Sequence, residues 1–225
     1  MNGSYFSVPR LSYEANAWQQ GEINLISEYE TELWFNGKLY CSTVCTPEHF
    51  DELAVGRMVA DGVIPAKKPE SLAVFSDPLR AEVRASLCSS VPALPTDTDS
   101  LWTVDDLQML ASTLRSTPLY RATRSIHCAV LMRHGEVLCL REDIGRHNAL
   151  DKVIGWAVLH GIEMQQCIVF SSGRLPLDMV QKALHAGIPV LASKSLPTAE
   201  SVALAGEKGL TLLHISERCG ILRFP

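Results

Sequence analysis

Residues 140–155 read LREDIGRHNALDKVIG, and their hydrophobic period changes halfway along. The text leading in, EVLCLRE (136–142), is an apolar strand-like run. Beyond it Leu150, Ile154, Ala157 and Val158 recur on one helical face, and Gly161 stops the pattern. A strand that hands over directly to an amphipathic helix begins a β-α unit, and the same handover recurs downstream. QCIVFSS (166–172) precedes LDMVQKALHAG (177–187), IPVLAS (188–193) precedes TAESVALAGEKG (198–209), and LTLLHIS (210–216) closes the series. This β-α-β-α-β-α-β order predicts an α/β architecture, with a mostly parallel sheet and covering helices.

The upstream text is less regular. ELWFNGKLYCSTV (32–44) alternates around Asn36-Gly37, a hairpin signal. TPEHFDELAVGRMVADGVI (46–64) predicts a helix, with Thr46 as N-cap, Pro47 at the first helical position and Gly62 as its end. SLAVF and AEVRASL are short strand candidates. They lead into CSSVPALPTDTDS (88–100), an aperiodic loop rich in Ser, Pro, Asp and Thr. VDDLQMLASTLRS (104–116) opens the second half as a helix, and HCAVLM (127–132) pairs with EVLCLRE across His134-Gly135. The expected organisation is a small N-terminal α+β domain over 1–100, ending in the Cys88 loop, and a second domain over 101–225.

Composition narrows the function. The 225 residues carry a net charge of -5, so no global basic field invites nucleic acid, and any anion site must be local. Neither a signal-like N-terminus nor an apolar run of about 20 residues is present, which argues against secretion and against a membrane span. The odd set of seven cysteines fits a reducing cytoplasm. Cys128, Cys139 and Cys167 lie in apolar runs and read as buried small hydrophobes, as do Cys41 and Cys45.

In a sheet of this kind the loops after the strand C-termini converge on one edge, where ligands bind. Those loops are EDIGRHN (142–148), SSGRLP (171–176) and SKSLPT (193–198). Each precedes a helix and so offers unpaired backbone N–H groups at the positive end of a helix dipole. Two carry Gly-Arg, whose planar fork suits phosphate, and Lys194 adds charge to the third. Any one of these loops could be a plain polar cap. Three together favour an anionic ligand.

These same residues carry a family likeness. EDIGRHNALDKVIG, SSGRLPLDMVQKALHAGIPVLASKSLPT and TPEHFDELAVGRMVADGVI resemble the formate dehydrogenase accessory sulfurtransferases, the FdhD family, from about residue 25 to the C-terminus. The resemblance implies a cytidine-deaminase-like fold for the C-terminal domain and a smaller N-terminal domain. It also implies a cytoplasmic homodimer, with no nucleic-acid or membrane partner, that takes persulfide sulfur from a cysteine desulfurase. That sulfur is passed to a molybdenum or tungsten bis-pterin guanine dinucleotide destined for formate dehydrogenase, and GDP would serve as a surrogate ligand. Gly145, Arg146, His147 and Asn148 would line the cofactor site, with Ser171, Ser172, Gly173 and Arg174 beside them. Ser193, Ser195, Pro197 and Thr198 form the third matching loop, and His127 matches a further motif position. By position alone, Ile215, Ser216, Glu217, Arg218, Cys219 and Gly220 replace the family's C-terminal Arg- and Gly-containing turn.

Besides that C-terminal turn, the sequence departs from the family in two places. The family loop carries Cys-Gly-x-Cys, whereas LCSSVP has Cys88 at the first position and Val91 at the second. A carrier needs one accessible thiolate-capable cysteine, so Cys88 is the candidate catalytic residue. Without a second cysteine, release requires an external thiol or the metal centre. In TRSIHCAV, Arg124 and Ser125 replace two glycines of the family's pattern. Two other readings stand beside the sulfurtransferase: a chaperone that holds the cofactor without moving sulfur, and a guanine-nucleotide-binding module. Zinc-dependent deamination lacks its residues, since His127-Cys128-Ala129 has no Glu and no Cys-x-x-Cys occurs, so no metal ligand set is expected.

Overall fold

The computed structural model describes residues 4–216 and 220–224. The chain begins with an antiparallel ribbon, β1 (Tyr5–Glu14) and β2 (Ala17–Ile26), turned at Ala15-Asn16. This ribbon had no legible signature in the sequence. Next come β3 (Tyr29–Phe35) and β4 (Lys38–Cys45), joined by Asn36-Gly37 with φ of 48° and 80°. Two successive left-handed residues make the tight turn whose twist matches the strands. With β5 (Ser71–Ser76) and β6 (Leu79–Arg84) they form a four-stranded sheet in the order β4-β3-β6-β5.

Between β4 and β5 lies helix α1 (Phe50–Ala60). Its start differs from the sequence expectation. His49, left-handed at φ 56°, precedes the helix, and Thr46 does not cap it. The Thr46 hydroxyl is buried and donates to Asp143 Oδ2 at 3.0 Å, while Lys152 Nζ donates to it at 2.7 Å. Charged partners from the second half of the chain outcompete the local cap, because charge-assisted bonds are the stronger ones.

The second half contains α2 (Val104–Thr113), the short α3 (Pro118–Thr123), β7 (His127–Arg133), β8 (Glu136–Asp143) and α4 (Arg146–Leu159). It continues with β9 (Ile168–Ser171), α5 (Leu177–Ala186), β10 (Val190–Ser193), α6 (Ala199–Lys208), β11 (Thr211–Ser216) and β12 (Gly220–Phe224). The β8-to-β11 alternation is the one read from the sequence. The sheet, however, is mixed rather than mostly parallel. Its order is β12-β11-β10-β9-β7-β8, with β9, β10 and β11 parallel and the other pairs antiparallel. The His134-Gly135 turn forces β7 back along β8, and β7 then inserts between β8 and β9, where local periodicity gave no hint of it.

One face of this sheet carries Ala129, Leu131, Val169, Leu191 and Leu212 in a core shared with Leu53, Met58, Leu150, Ile154 and Val180 of the helices. That core continues without a break to Leu33 and Val83 of the four-stranded sheet. The opposite face carries Val130, Phe170, Ala192 and Ile215, covered by Leu107 and Leu110 of α2. Helices α1 and α4 cross in backbone contact. A Cβ added to Gly56 would run into Asp151 O, and one added to Gly155 into Glu52 O.

Candidate functional site

The C-terminal ends of β8, β9, β10 and β11 bring the three predicted loops to one edge. At the first, Asp143 is completely buried and organises the turn into α4. Its Oδ1 accepts from Gly145 N and Asn148 Nδ2, both at 2.9 Å. Its Oδ2 accepts from Thr46 N at 3.1 Å and lies 2.6 Å from Lys152 Nζ. Gly145 precedes α4 without any side-chain cap, which leaves the N–H groups of the first turn, at the positive dipole end, unsealed by a side chain. Asn148, expected to line a ligand, is turned inward: its amide also donates to Val44 O at 2.7 Å, and the residue is buried.

Arg146 lies against the second loop. A Cβ added to Gly173 would sit 2.6 Å from Arg146 Cδ and 2.8 Å from its Cβ, so only glycine admits that side chain. Arg146 Nε and His147 Nδ1 are both shielded from solvent, and among the described residues neither has a hydrogen-bond partner. His147 Nε2 stands 3.5 Å from Asp178 Oδ2 at the start of α5. Burial lowers the His147 pKa below its ordinary value against the pull of Asp178. His127 is lowered in the same way, by burial and then by the Arg146 guanidinium. A buried guanidinium donor and a buried imidazole nitrogen that donates when protonated, both without partners beside a glycine cradle, are what an anionic group of phosphate type would complete.

The serines mostly build the loops. Ser171 Oγ accepts from Gly173 N at 3.3 Å, and Ser172 Oγ accepts from Cys128 N at 2.9 Å, with His127 Nδ1 at 3.2 Å. Ser193 Oγ donates to Gly173 O at 2.6 Å and accepts from Ser195 N at 2.9 Å, tying the second loop to the third. Pro197 bridges to Leu175, and Thr198 caps α6 by accepting from Ser201 N. Arg174 is exposed. Beyond the third loop a cleft of about 670 Å³ is lined by Lys194, Ile215, Ser216 and Gly220 together with one stripe of α2. Glu217, Arg218 and Cys219 lie outside the described residues.

Three groups at this edge were not singled out in the sequence. Glu142 accepts from Leu119 N at 3.1 Å and Tyr120 N at 3.0 Å, anchoring α3, whose C-cap Arg124 is left-handed at φ 58°. His214 pairs in register with Ser193, is buried, and has no partner for Nδ1 among the described residues. The α2 stripe is the third. Its polar spacing was visible in the sequence, but the side of the sheet on which it packs was not.

Cys88 is not part of this assembly. Its N–H donates to Val63 O at 2.8 Å, just past the C-terminus of α1, and its Sγ contacts Ser90 O at 3.1 Å. Pro92 of the same loop packs against Gly187 at the end of α5, whose first turn holds Asp178 beside His147. The length of α5, roughly 15 Å at the helical rise, therefore separates the Cys88 loop from the anion loops. Cys88 is half-buried rather than freely exposed. The strand cysteines behave as apolar residues: burial pushes the Cys45, Cys128 and Cys139 thiols up to about 12 and Cys167 to about 11. Cys41 is also raised by burial.

Among known proteins, the model of the FdhD/NarQ family matches residues 82–220. The sulfur carrier protein FdhD of Mycobacterium tuberculosis is 33% identical over 235 residues, covering 84% of this chain and 85% of the relative. The Bacillus subtilis protein of the same name is 28% identical over 230 residues, covering 87% and 88%. A crystal structure described as a formate dehydrogenase accessory protein from Desulfotalea psychrophila superposes with a TM-score of 0.83. It is 26% identical and covers 99% of this chain and 97% of its own. No described helix is long and apolar enough to cross a membrane.

Proposed function

The chain belongs to the FdhD/NarQ family, and from that premise we propose that it accepts sulfur from a cysteine desulfurase as a persulfide on Cys88 and delivers it to a molybdenum or tungsten bis-pterin guanine dinucleotide. Its relatives are sulfur carriers, and its structural neighbour is described as an accessory protein of formate dehydrogenase. The guanine dinucleotide is cargo. Its phosphates would be held by Arg146, His147 and the first-turn N–H groups of α4, against the Gly173 cradle. The observation that carries this assignment is the pair of buried, unpartnered nitrogens, Arg146 Nε, whose side chain lies on the Gly173 loop, and His147 Nδ1 next to it in the chain. Neutral histidine can either donate to a phosphate oxygen or take up a proton as the anion arrives. A homodimer fits the same family reading.

One observation favours a second reading, a chaperone that carries the cofactor without transferring sulfur. Val91 stands where the family's second loop cysteine belongs, so no partner thiol in that loop can release a Cys88 persulfide as a disulfide. Intact-mass spectrometry after incubation with a cysteine desulfurase and cysteine separates the two. A reducible gain of one sulfur in the wild type, absent in Cys88→Ser, supports the carrier; no gain in either protein leaves the chaperone.

A further inference from the structure

The Cys88 loop borders a cavity in which none of the anion-loop residues takes part. The cavity encloses about 490 Å³, within the range of small-molecule sites, and lies where α4 ends at His160 and Gly161. Lys67, Lys68, Gln165 and Ala186 also line it. Both ends of the Cys88 loop run along its rim. Ser86 shares the adjoining hollow with Lys67 and Lys68, and the Cys88 N–H donates to Val63 O at 2.8 Å, just before Lys67 in the chain. Pro92 packs on Gly187, the neighbour of Ala186, and Gln165 Nε2 lies against that same glycine. The two lysines are exposed, and among the described residues neither is engaged in an ion pair. His160 donates from Nδ1 to Trp156 O at 2.8 Å, which leaves Nε2 for a ligand. Among the described residues Glu163 is the sole carboxylate of the lining, and its Oε2 accepts from Gln166 Nε2 at 2.8 Å. The cavity is therefore built for an anion.

We infer that this cavity receives a low-molecular-weight thiol bearing carboxylates, held by Lys67 and Lys68, and that this thiol takes the sulfane sulfur from Cys88. The inference rests on the carrier reading above and adds the acceptor. The chemistry of the chain calls for one. Val91 stands where a second loop thiol would release the persulfide. Cys45, Cys128, Cys139 and Cys167 are buried and stay protonated near pH 7, so none of them is a ready nucleophile. The length of α5 also separates the Cys88 loop from the anion loops, and a diffusible acceptor crosses that gap without moving the loop. In the transfer, the incoming thiolate attacks the outer sulfur of the persulfide. The bond from that sulfur to Cys88 Sγ breaks, its electron pair leaves with Sγ, and the proton given up by the thiol returns to Cys88. Cys88–S–SH and R–SH become Cys88–SH and R–S–SH, with no net oxidation or reduction. Two unpaired ammonium groups raise the local concentration of such an anion and favour its thiolate form.

The test loads the wild type and Lys67→Gln/Lys68→Gln with sulfur from a cysteine desulfurase. Loss of the added sulfur is then followed by intact mass under glutathione and under uncharged 2-mercaptoethanol. Glutathione should discharge the lysine variant roughly three- to tenfold more slowly than the wild type, whereas 2-mercaptoethanol should discharge both at the same rate. Equal slowing with both thiols would place the lysines on Cys88 itself rather than on an incoming carboxylate. No slowing with either thiol would leave the lysines without a part in the transfer. Each of these results overturns the inference while the carrier reading stands. A wild type that gains no sulfur overturns the carrier reading and the transfer step with it. Binding of S-methylglutathione, which cannot accept sulfur, decides the cavity whether or not either protein loads. Weaker binding to the lysine variant than to the wild type upholds the cavity; equal binding, or none to the wild type, overturns it.

Discussion

Lys152 is among the largest side chains wholly withdrawn from solvent, and it ends on Asp143 and Thr46. A buried ammonium is tolerated only with a partner charge and filled hydrogen bonds, and here both are supplied. Lys152→Met strands the Asp143 carboxylate and should cost about 3–5 kcal/mol in denaturant unfolding; a loss below about 1 kcal/mol would show that the pair does not hold the turn. The histidines give a pH signature. Burial holds His147 and His127 below the ordinary histidine value, so both are neutral near pH 7. A bound anion favours the protonated form, so binding takes up protons and tightens as the pH falls from 8 towards 6. Pyrophosphate titrates in the same window, so the measure is a difference: affinity should rise more steeply in the wild type than in His127→Asn/His147→Asn. Parallel slopes would sink the idea.

At the scale of elements, the crossing of α1 and α4 decides where the anion loop sits. Gly56 and Gly155 let the two backbones touch, which brings Glu52 within reach of Arg141 and Thr46 within reach of Asp143. Adding even one methyl at this crossing pushes the helices apart. Gly155→Ala should therefore destabilise the protein by roughly 1–3 kcal/mol or more, although alanine has the higher helix propensity. Thermal unfolding checks this, and a stabilised Gly155→Ala would contradict the close crossing.

Across the whole molecule, one continuous core joins the four-stranded and six-stranded sheets, yet the thiol and the anion loops sit at opposite ends of α5. Distant sites without shared partners act independently. Cys88→Ser should leave GDP affinity unchanged, and Arg146→Ala should leave sulfur loading from a desulfurase unchanged. Abolished loading in Arg146→Ala would instead tie the two sites into one.

The sequence by itself determined the helices and strands from 127 to 216, the Asn36-Gly37 and His134-Gly135 turns, the three loops and the family. Each of these rests on local period, turn chemistry or a contiguous motif. Tertiary structure alone decided that β7 splits β8 from β9, that Thr46 bonds Asp143 instead of capping a helix, that Asn148 donates to Asp143, and that α2 faces the cleft. It also set Cys88 at the far end of α5. These outcomes depend on partners distant in the chain, such as Thr46 with Asp143 and Pro92 with Gly187, and no pattern within a single segment specifies which distant partner a side chain will meet.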